Sequence, residues 1–187
     1  MTNIPRLTRD NIIFIFIDLQ EKLLANIPLS DRIVSRNELL MEAANLLDLP
    51  YVATTQYRRG LGSVSDRLAS KMGEQALDKS AFSCVADAAI AEKLSSMGRP
   101  AAVLSGVETH ICVLQTGLDL IRRGYHVSVV ADAVGARTEL DHDLGLKRLE
   151  TAGALPVTAE MIIYELLERS DSDAFKKILP LIQGKQP

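Results

Sequence analysis

The 187-residue chain has no tryptophan, two cysteines and three histidines, and aromatic residues make up only 4% of it. So few aromatics offer no stacking platform for single-stranded nucleic acid, and a ribonuclease would also need a basic groove. The formal net charge is -3, which gives no general attraction to polyphosphate or to an anionic membrane. Arg58-Arg59 and Arg122-Arg123 are small local pairs that read as solvated surface. Cys84 and Cys112 are too few for a disulfide framework or a cysteine-rich zinc site. No set of histidines supports a metal site either. The longest apolar run, Ile12 to Ile17, falls far short of the ~20 residues that span a bilayer, and no charged-apolar-small leader opens the chain. A cytosolic protein with both thiols reduced is therefore expected. Glycines are missing where a nucleotide fold would need them: Leu19-Gln-Glu-Lys22 follows the first strand in place of a phosphate-binding loop.

What the chain does contain is a hydrophobic content of 47%, enough for one substantial core and short for two, so residues 1–187 read as a single domain. Asn11 to Asp18 is a strand buried on both faces that ends in a carboxylate. A helix from about Asp31 to Leu47 follows, with Ser30 or Asp31 as its N-cap. Strands are then expected at 50–56, 101–105, 125–132 and 155–158, and helices at 87–97, from Cys112 to Gly124, at 141–151, 161–167 and 174–182. The glycine-, arginine- and serine-bearing stretch from Tyr57 to Gly73 reads as a loop over a pocket. Strands alternating with helices predict a three-layer α/β/α sandwich around a parallel, doubly wound sheet.

The segment from Ala101 to Cys112 carries the chemistry. An apolar strand ends at Gly106 and feeds a helix whose first turn holds Cys112. Ligands bind at the carboxyl ends of such strands, and a helix start lowers a thiol pKa. Ile111, Leu114, Leu118 and Ile121 form the expected apolar stripe, which leaves Cys112 on its flank at the core edge. Asp18 could take the thiol proton and Lys79 could hold the thiolate. His110 is two positions from Cys112, on nearly the opposite helix face, so a Cys-His pair is not supported. Cys84 reads as structural.

With Asp18-Leu-Gln20, Lys79-Ser-Ala-Phe82, Gly106-Val-Glu-Thr-His-Ile-Cys112 and Asp132-Ala in view, the chain resembles the isochorismatase-like cysteine hydrolases over nearly its whole length. Thr55-Gln-Tyr57, Gly60-Leu-Gly62 and the stretch from Thr116 to Gly124 resemble the subgroup called isochorismatase domain-containing proteins. The resemblance implies a Rossmann-like six-stranded sheet and an Asp18-Lys79-Cys112 triad. It also implies an oxyanion hole from the backbone N–H groups of Glu108 and Cys112, with a cis Val107–Glu108 peptide. Gln20, Tyr57, Phe82 and Thr109 are the expected pocket residues. No metal or other cofactor is implied, because Gln56-Tyr-Arg-Arg-Gly60 lacks the histidines of the nicotinamidase branch. The expected function is hydrolysis of a small carboxamide or related C–N bond, with homo-oligomers (dimer or tetramer) and no nucleic-acid or membrane partner. Vinyl-ether hydrolysis is one alternative, since isochorismatases proper do without the thiol. A non-catalytic oligomeric binding scaffold on the same fold is the other.

Overall fold

The computed structural model describes residues 6–184. Its centre is strand β1 (Ile12–Ile17), in which every residue is buried. Alternate side chains face opposite layers. Ile12, Phe14 and Phe16 meet helix α2 (Ser30–Leu46) and the later helices α8 (Ala159–Leu167) and α9 (Asp173–Ile182) through Leu40, Ala44, Ile162, Ile163 and Ile178. Ile13, Ile15 and Ile17 meet α5 (Ala88–Ser96), α6 (Leu114–Arg122) and α7 (Glu139–Thr151) through Ile90, Leu94, Leu120 and Leu149. Burying each such side chain contributes about 1.5–3 kcal/mol, so this single strand ties both helical layers to the sheet.

The other strands are β2 (Tyr51–Gln56), β3 (Leu77–Lys79), β4 (Ala101–Val107), β5 (His126–Gly135) and β6 (Leu155–Val157). All pair in parallel, in the order β3-β2-β1-β4-β5-β6. The chain winds outward from β1 through β2 to β3, then returns to place β4 on the other side of β1. Connections therefore diverge above the carboxyl ends of β1 and β4, which is where an open α/β sheet leaves a crevice.

Local chemistry explains the departures from the expected elements. The stretch after Tyr57 is not all loop: it holds the short helices α3 (Arg58–Leu61) and α4 (Asp66–Ala69), and a four-residue helix α1 (Glu21–Leu24) follows β1. Helix α2 starts at Ser30 with Leu29 as its N-cap at φ 60 and no side-chain cap, so neither Ser30 nor Asp31 caps it. Asp87 does cap α5, accepting from Ala89 and Ile90 N–H. Helix α7 is capped by Thr138 through Asp141 N–H and starts two residues before the expected Asp141. Asp132 lies inside β5, where its carboxylate receives Ala159 N–H at 2.8 Å and pairs with Arg36 at 3.1 Å. It anchors the start of α8. Among the described residues no helix is long and apolar enough to cross a membrane.

Candidate active site

Three neighbouring strands end in polar side chains that turn toward one another. Asp18 follows β1 at φ 50 and is fully buried, a left-handed conformation that aspartate tolerates better than most residues. Its Oδ1 accepts from Thr54 Oγ1 at 2.8 Å and its Oδ2 from Lys79 Nζ at 2.6 Å. Lys79 closes β3, and neither its side chain nor that of Asp18 is exposed. The ammonium also donates to Gln56 Oε1 at 2.7 Å and to the carbonyls of Ala81 and Phe82 at 3.3 Å each. Its positive charge is thus fully coordinated.

Gln56, at the end of β2, joins this pair to the thiol. Its Nε2 donates to Ser80 C=O at 2.8 Å, which turns Oε1 toward Lys79 and leaves it 3.9 Å from Cys112 Sγ. Gln20 fixes the Gln56 backbone from the other side: its Oε1 accepts from Gln56 N–H at 2.7 Å, and its Nε2 donates to Gln56 C=O at 3.1 Å and to Gly62 C=O at 2.7 Å. Gln20 is completely buried, so it holds a strand end and a loop in place rather than offering free hydrogen bonds to a ligand.

Cys112 reaches the site by a different backbone route from the one expected. Residues Thr109–Val113 form a π-helical turn before α6 begins at Leu114. Ile111 and Val113 N–H both bond to Glu108 C=O, at 3.0 and 3.2 Å, so the turn holds one residue more than an α-turn. The buried residues of α6 are Leu114, Thr116, Gly117 and Leu120, so of the expected stripe Leu114 is buried while Ile111, Leu118 and Ile121 pack against the core only partly buried. Cys112 itself is 5% exposed, inside the core instead of on its flank. The strand that delivers this turn depends on Gly106, at φ 107, where a Cβ would lie 2.0 Å from Ile17 O. Only glycine permits this approach.

The electrostatics also differ from the helix-start argument. Burial pushes the Cys112 thiol up, the Asp18 carboxylate raises it further, and Lys79 only partly opposes them. The resting nucleophile candidate is therefore a neutral thiol. For Lys79, burial acts to lower the pKa, but the Asp18 charge and then the two cysteines outweigh it, leaving it raised. Cys84 is fully buried beneath the site, its N–H on Thr116 Oγ1 at 2.9 Å and its sulfur 3.8 Å from Thr54 Oγ1. Burial first, and then Asp18, raises its thiol to about 11. Both cysteines are free.

The remaining expected site residues stand around this cluster. The Val107–Glu108 peptide is cis, and the Glu108 carboxylate points away to Arg137, accepting from its N–H at 3.2 Å and its Nε at 3.0 Å. Thr109 is buried, with its hydroxyl 3.0 Å from His142 Nδ1. His142 lines a cavity of about 420 Å³ together with Leu29, Arg32, Gly135 and Glu139. Tyr57 and Phe82, 52% and 53% exposed, flank Gln56 and Lys79 in sequence. Gln56 and Thr54 were not singled out by sequence reasoning. Their signal was a buried strand closing on three consecutive polar residues, Thr54-Thr55-Gln56. Among the described residues no group of three histidine, cysteine or acidic side chains converges as a metal site.

Residues 13–161 match the isochorismatase domain. The chain belongs to the isochorismatase family. It is 33% identical over 187 residues to isochorismatase domain-containing protein 1 of Danio rerio, covering all of this chain and 66% of that protein, just under two thirds of its length. It is 34% identical to isochorismatase domain-containing protein 2A of Mus musculus, covering 99% of this chain and 89% of that one. The structure of MAR1 ribonuclease from Caenorhabditis elegans superposes with a TM-score of 0.90 at 35% identity, covering 98% of this chain and 95% of that one. Within the isochorismatase family the chain groups with the isochorismatase domain-containing proteins, and its membership supports a hydrolase function.

Proposed function

We propose that this isochorismatase-family chain is a single-domain cysteine hydrolase of a small carboxamide or related C–N bond, working without a metal in a reducing, cytosolic setting. The observation that carries the reading is the continuous contact from Asp18 through Lys79 and Gln56 to Cys112 Sγ, at 2.6, 2.7 and 3.9 Å. A carboxylate has about four lone-pair positions, so Asp18 keeps capacity for a proton beyond the bonds from Thr54 and Lys79. On attack, the Cys112 S–H proton passes to Asp18 while sulfur bonds to the substrate carbonyl carbon. The oxyanion is held by the N–H groups of Glu108 and Cys112. Collapse breaks the C–N bond, with Asp18 returning the proton to the leaving nitrogen, and a thioester remains on Cys112. Water then adds to it, giving its proton to Asp18, and the acid is released as Cys112 regains a proton. Lys79 balances the Asp18 charge, and Tyr57, Phe82 and Thr109 border the substrate. We further read the active form as a homo-oligomer.

Family membership favours one other chemistry, vinyl-ether hydrolysis, in which Asp18 does the acid–base work and the thiol is a bystander. The Caenorhabditis elegans protein is named a ribonuclease, but here the cation of the site is wholly buried against Asp18 and aromatics are sparse. The test is a turnover screen over small amides, ureides, vinyl ethers and a short RNA, repeated with Cys112→Ser and Asp18→Asn. Serine is far less acidic than cysteine, so amide turnover should fall by at least about a thousandfold, roughly 4 kcal/mol, in Cys112→Ser with little change in melting temperature. Amide turnover that survives this substitution refutes nucleophilic catalysis by Cys112. Vinyl-ether turnover that survives it but is lost in Asp18→Asn establishes the other chemistry, and a folded protein inert on every class supports a binding scaffold.

A further inference from the structure

The inner face of α7 is fully engaged and its outer face is not. Gly145 lies so close to the nucleophile's turn that a Cβ there would come within 3.1 Å of His110 Cα, and Leu149 is completely buried. Outside, Leu140 and Leu144 are 67% and 59% exposed, one helical turn apart on the same stripe. Leu144 also borders a groove of about 510 Å³ with Leu118 and Arg122 of α6 and with Lys147 and Arg148. Scattered exposed leucines need no explanation. These two lie between ends of opposite net charge, with Glu139, Asp141 and Asp143 in the first half of the helix and Lys147, Arg148 and a single acid, Glu150, in the second.

That pattern complements itself. In a two-fold contact, residue i of one copy meets residue j of the other and j meets i. With the axis at Leu144, antiparallel α7 helices set Leu144 on Leu144, Asp141 against Lys147, and Leu140 along the aliphatic stem of Arg148. The helix dipoles then also oppose, whereas a parallel pairing would bring acid to acid. Two ion pairs lie on this face, Lys147 with Glu150 at 3.0 Å and Arg122 with Asp119 at 3.1 Å; both reach solvent and so are readily exchanged. We propose that the outer face of α7, with the adjoining edge of α6, is the contact between two copies of this chain, and that it braces the Cys112 turn from outside. The inference rests on the homo-oligomer reading above and assigns it a surface.

Sedimentation equilibrium on the full chain at up to about 100 µM tests both layers separately. The wild type should assemble, and Leu140→Asp with Leu144→Asp should halve the mass of the assembly while leaving the far-UV circular dichroism unchanged. Lys147→Glu with Arg148→Glu should weaken assembly by about tenfold or more. Adding Asp141→Lys, the position set against 147, to that chain should restore at least part of it, a recovery that an unfolded variant would not give. A wild type that is monomeric throughout overturns the homo-oligomer reading and this proposal with it. A wild-type assembly unaffected by the charge reversal overturns the assigned surface and leaves the oligomer standing.

Discussion

Replacing Lys79 by Met keeps the aliphatic stem and removes the ammonium from a site where neither partner of its ion pair touches water. Asp18 is left buried with Thr54 as its remaining side-chain donor, and Gln56 Oε1 and two carbonyls lose theirs. Breaking a buried pair from one side costs about 3–5 kcal/mol, chiefly because a charge is left uncompensated. In a chain of this length each kcal/mol moves the melting temperature by about 2–4 °C, so the expected loss is roughly 6–20 °C. Asp18→Asn is the matching change, because asparagine also tolerates the positive φ at this position. If the pair acts as a unit, the double variant should be more stable than the sum of the single losses predicts, with a coupling of about 2 kcal/mol or more in urea unfolding. Single losses that add within about 0.5 kcal/mol would refute the argument.

The pH dependence has a definite sign. Lys79 is raised above the ordinary lysine value of 10.5: burial is the largest influence and lowers it, but Asp18 and the two cysteines together outweigh it. A group raised on folding contributes its stability in full below the unfolded value and loses it as pH climbs through the folded one. The gap between wild type and Lys79→Met should therefore hold constant from neutral pH to about 9 and narrow only above 10.5. A gap already closing near pH 8 would mean that the lysine is not held as described.

Gly106→Ala should destabilise by more than about 4 kcal/mol, since overpacking adds to left-handed strain. Gly153→Ala has a similar φ of 105 but nothing within 4 Å and should cost only about 1–2 kcal/mol. Equal melting temperatures for the two would show that the close approach to Ile17 O is not what fixes glycine at position 106. In iodoacetamide labelling followed by mass spectrometry, Cys84, with its thiol near 11, should stay unmodified at neutral pH. Cys112 should label slowly in the wild type and faster in Asp18→Asn, because the carboxylate that raises its thiol is gone. Slower labelling in that variant would contradict the assigned electrostatics.

The parts of this site that could be read from the sequence are those that depend on strand ends. Asp18 closes an apolar run that could only be a buried strand, and Gly106 precedes the thiol by a fixed short path, so both fell at the carboxyl edge. Lys79 was legible as a residue but β3 was not: three residues with Asp78 in the middle carry no alternation that a window can detect. The buried face of α6 was legible at Leu114 only, because Thr116 and Gly117 do not register as apolar, although a Cβ at Gly117 would come within 2.5 Å of Leu149. The π-turn was invisible for a similar reason, since one extra residue per turn shifts every helical position after it. Gln56 escaped because its role is set by what stands on both sides, Ser80 and Lys79, and neither neighbour is local.

The direction of the Cys112 shift alters what the proposed chemistry requires. A helix start and a nearby lysine would acidify an isolated thiol, yet the lysine here is committed to Asp18 and to three further oxygens. At the sulfur the lysine only partly offsets the carboxylate it is paired with, so burial first and then Asp18 favour the neutral form. Under the proposed mechanism the reactive species is consequently made on demand: the proton leaves for Asp18 only as the carbon–sulfur bond forms, when the developing charge has moved to the oxyanion donors. Asp18 is then required as a base, and an ion-pair partner for Lys79 that cannot accept a proton would not replace it. The same balance keeps the thiol quiet toward adventitious electrophiles while no substrate is bound, because reactivity toward them follows the thiolate fraction.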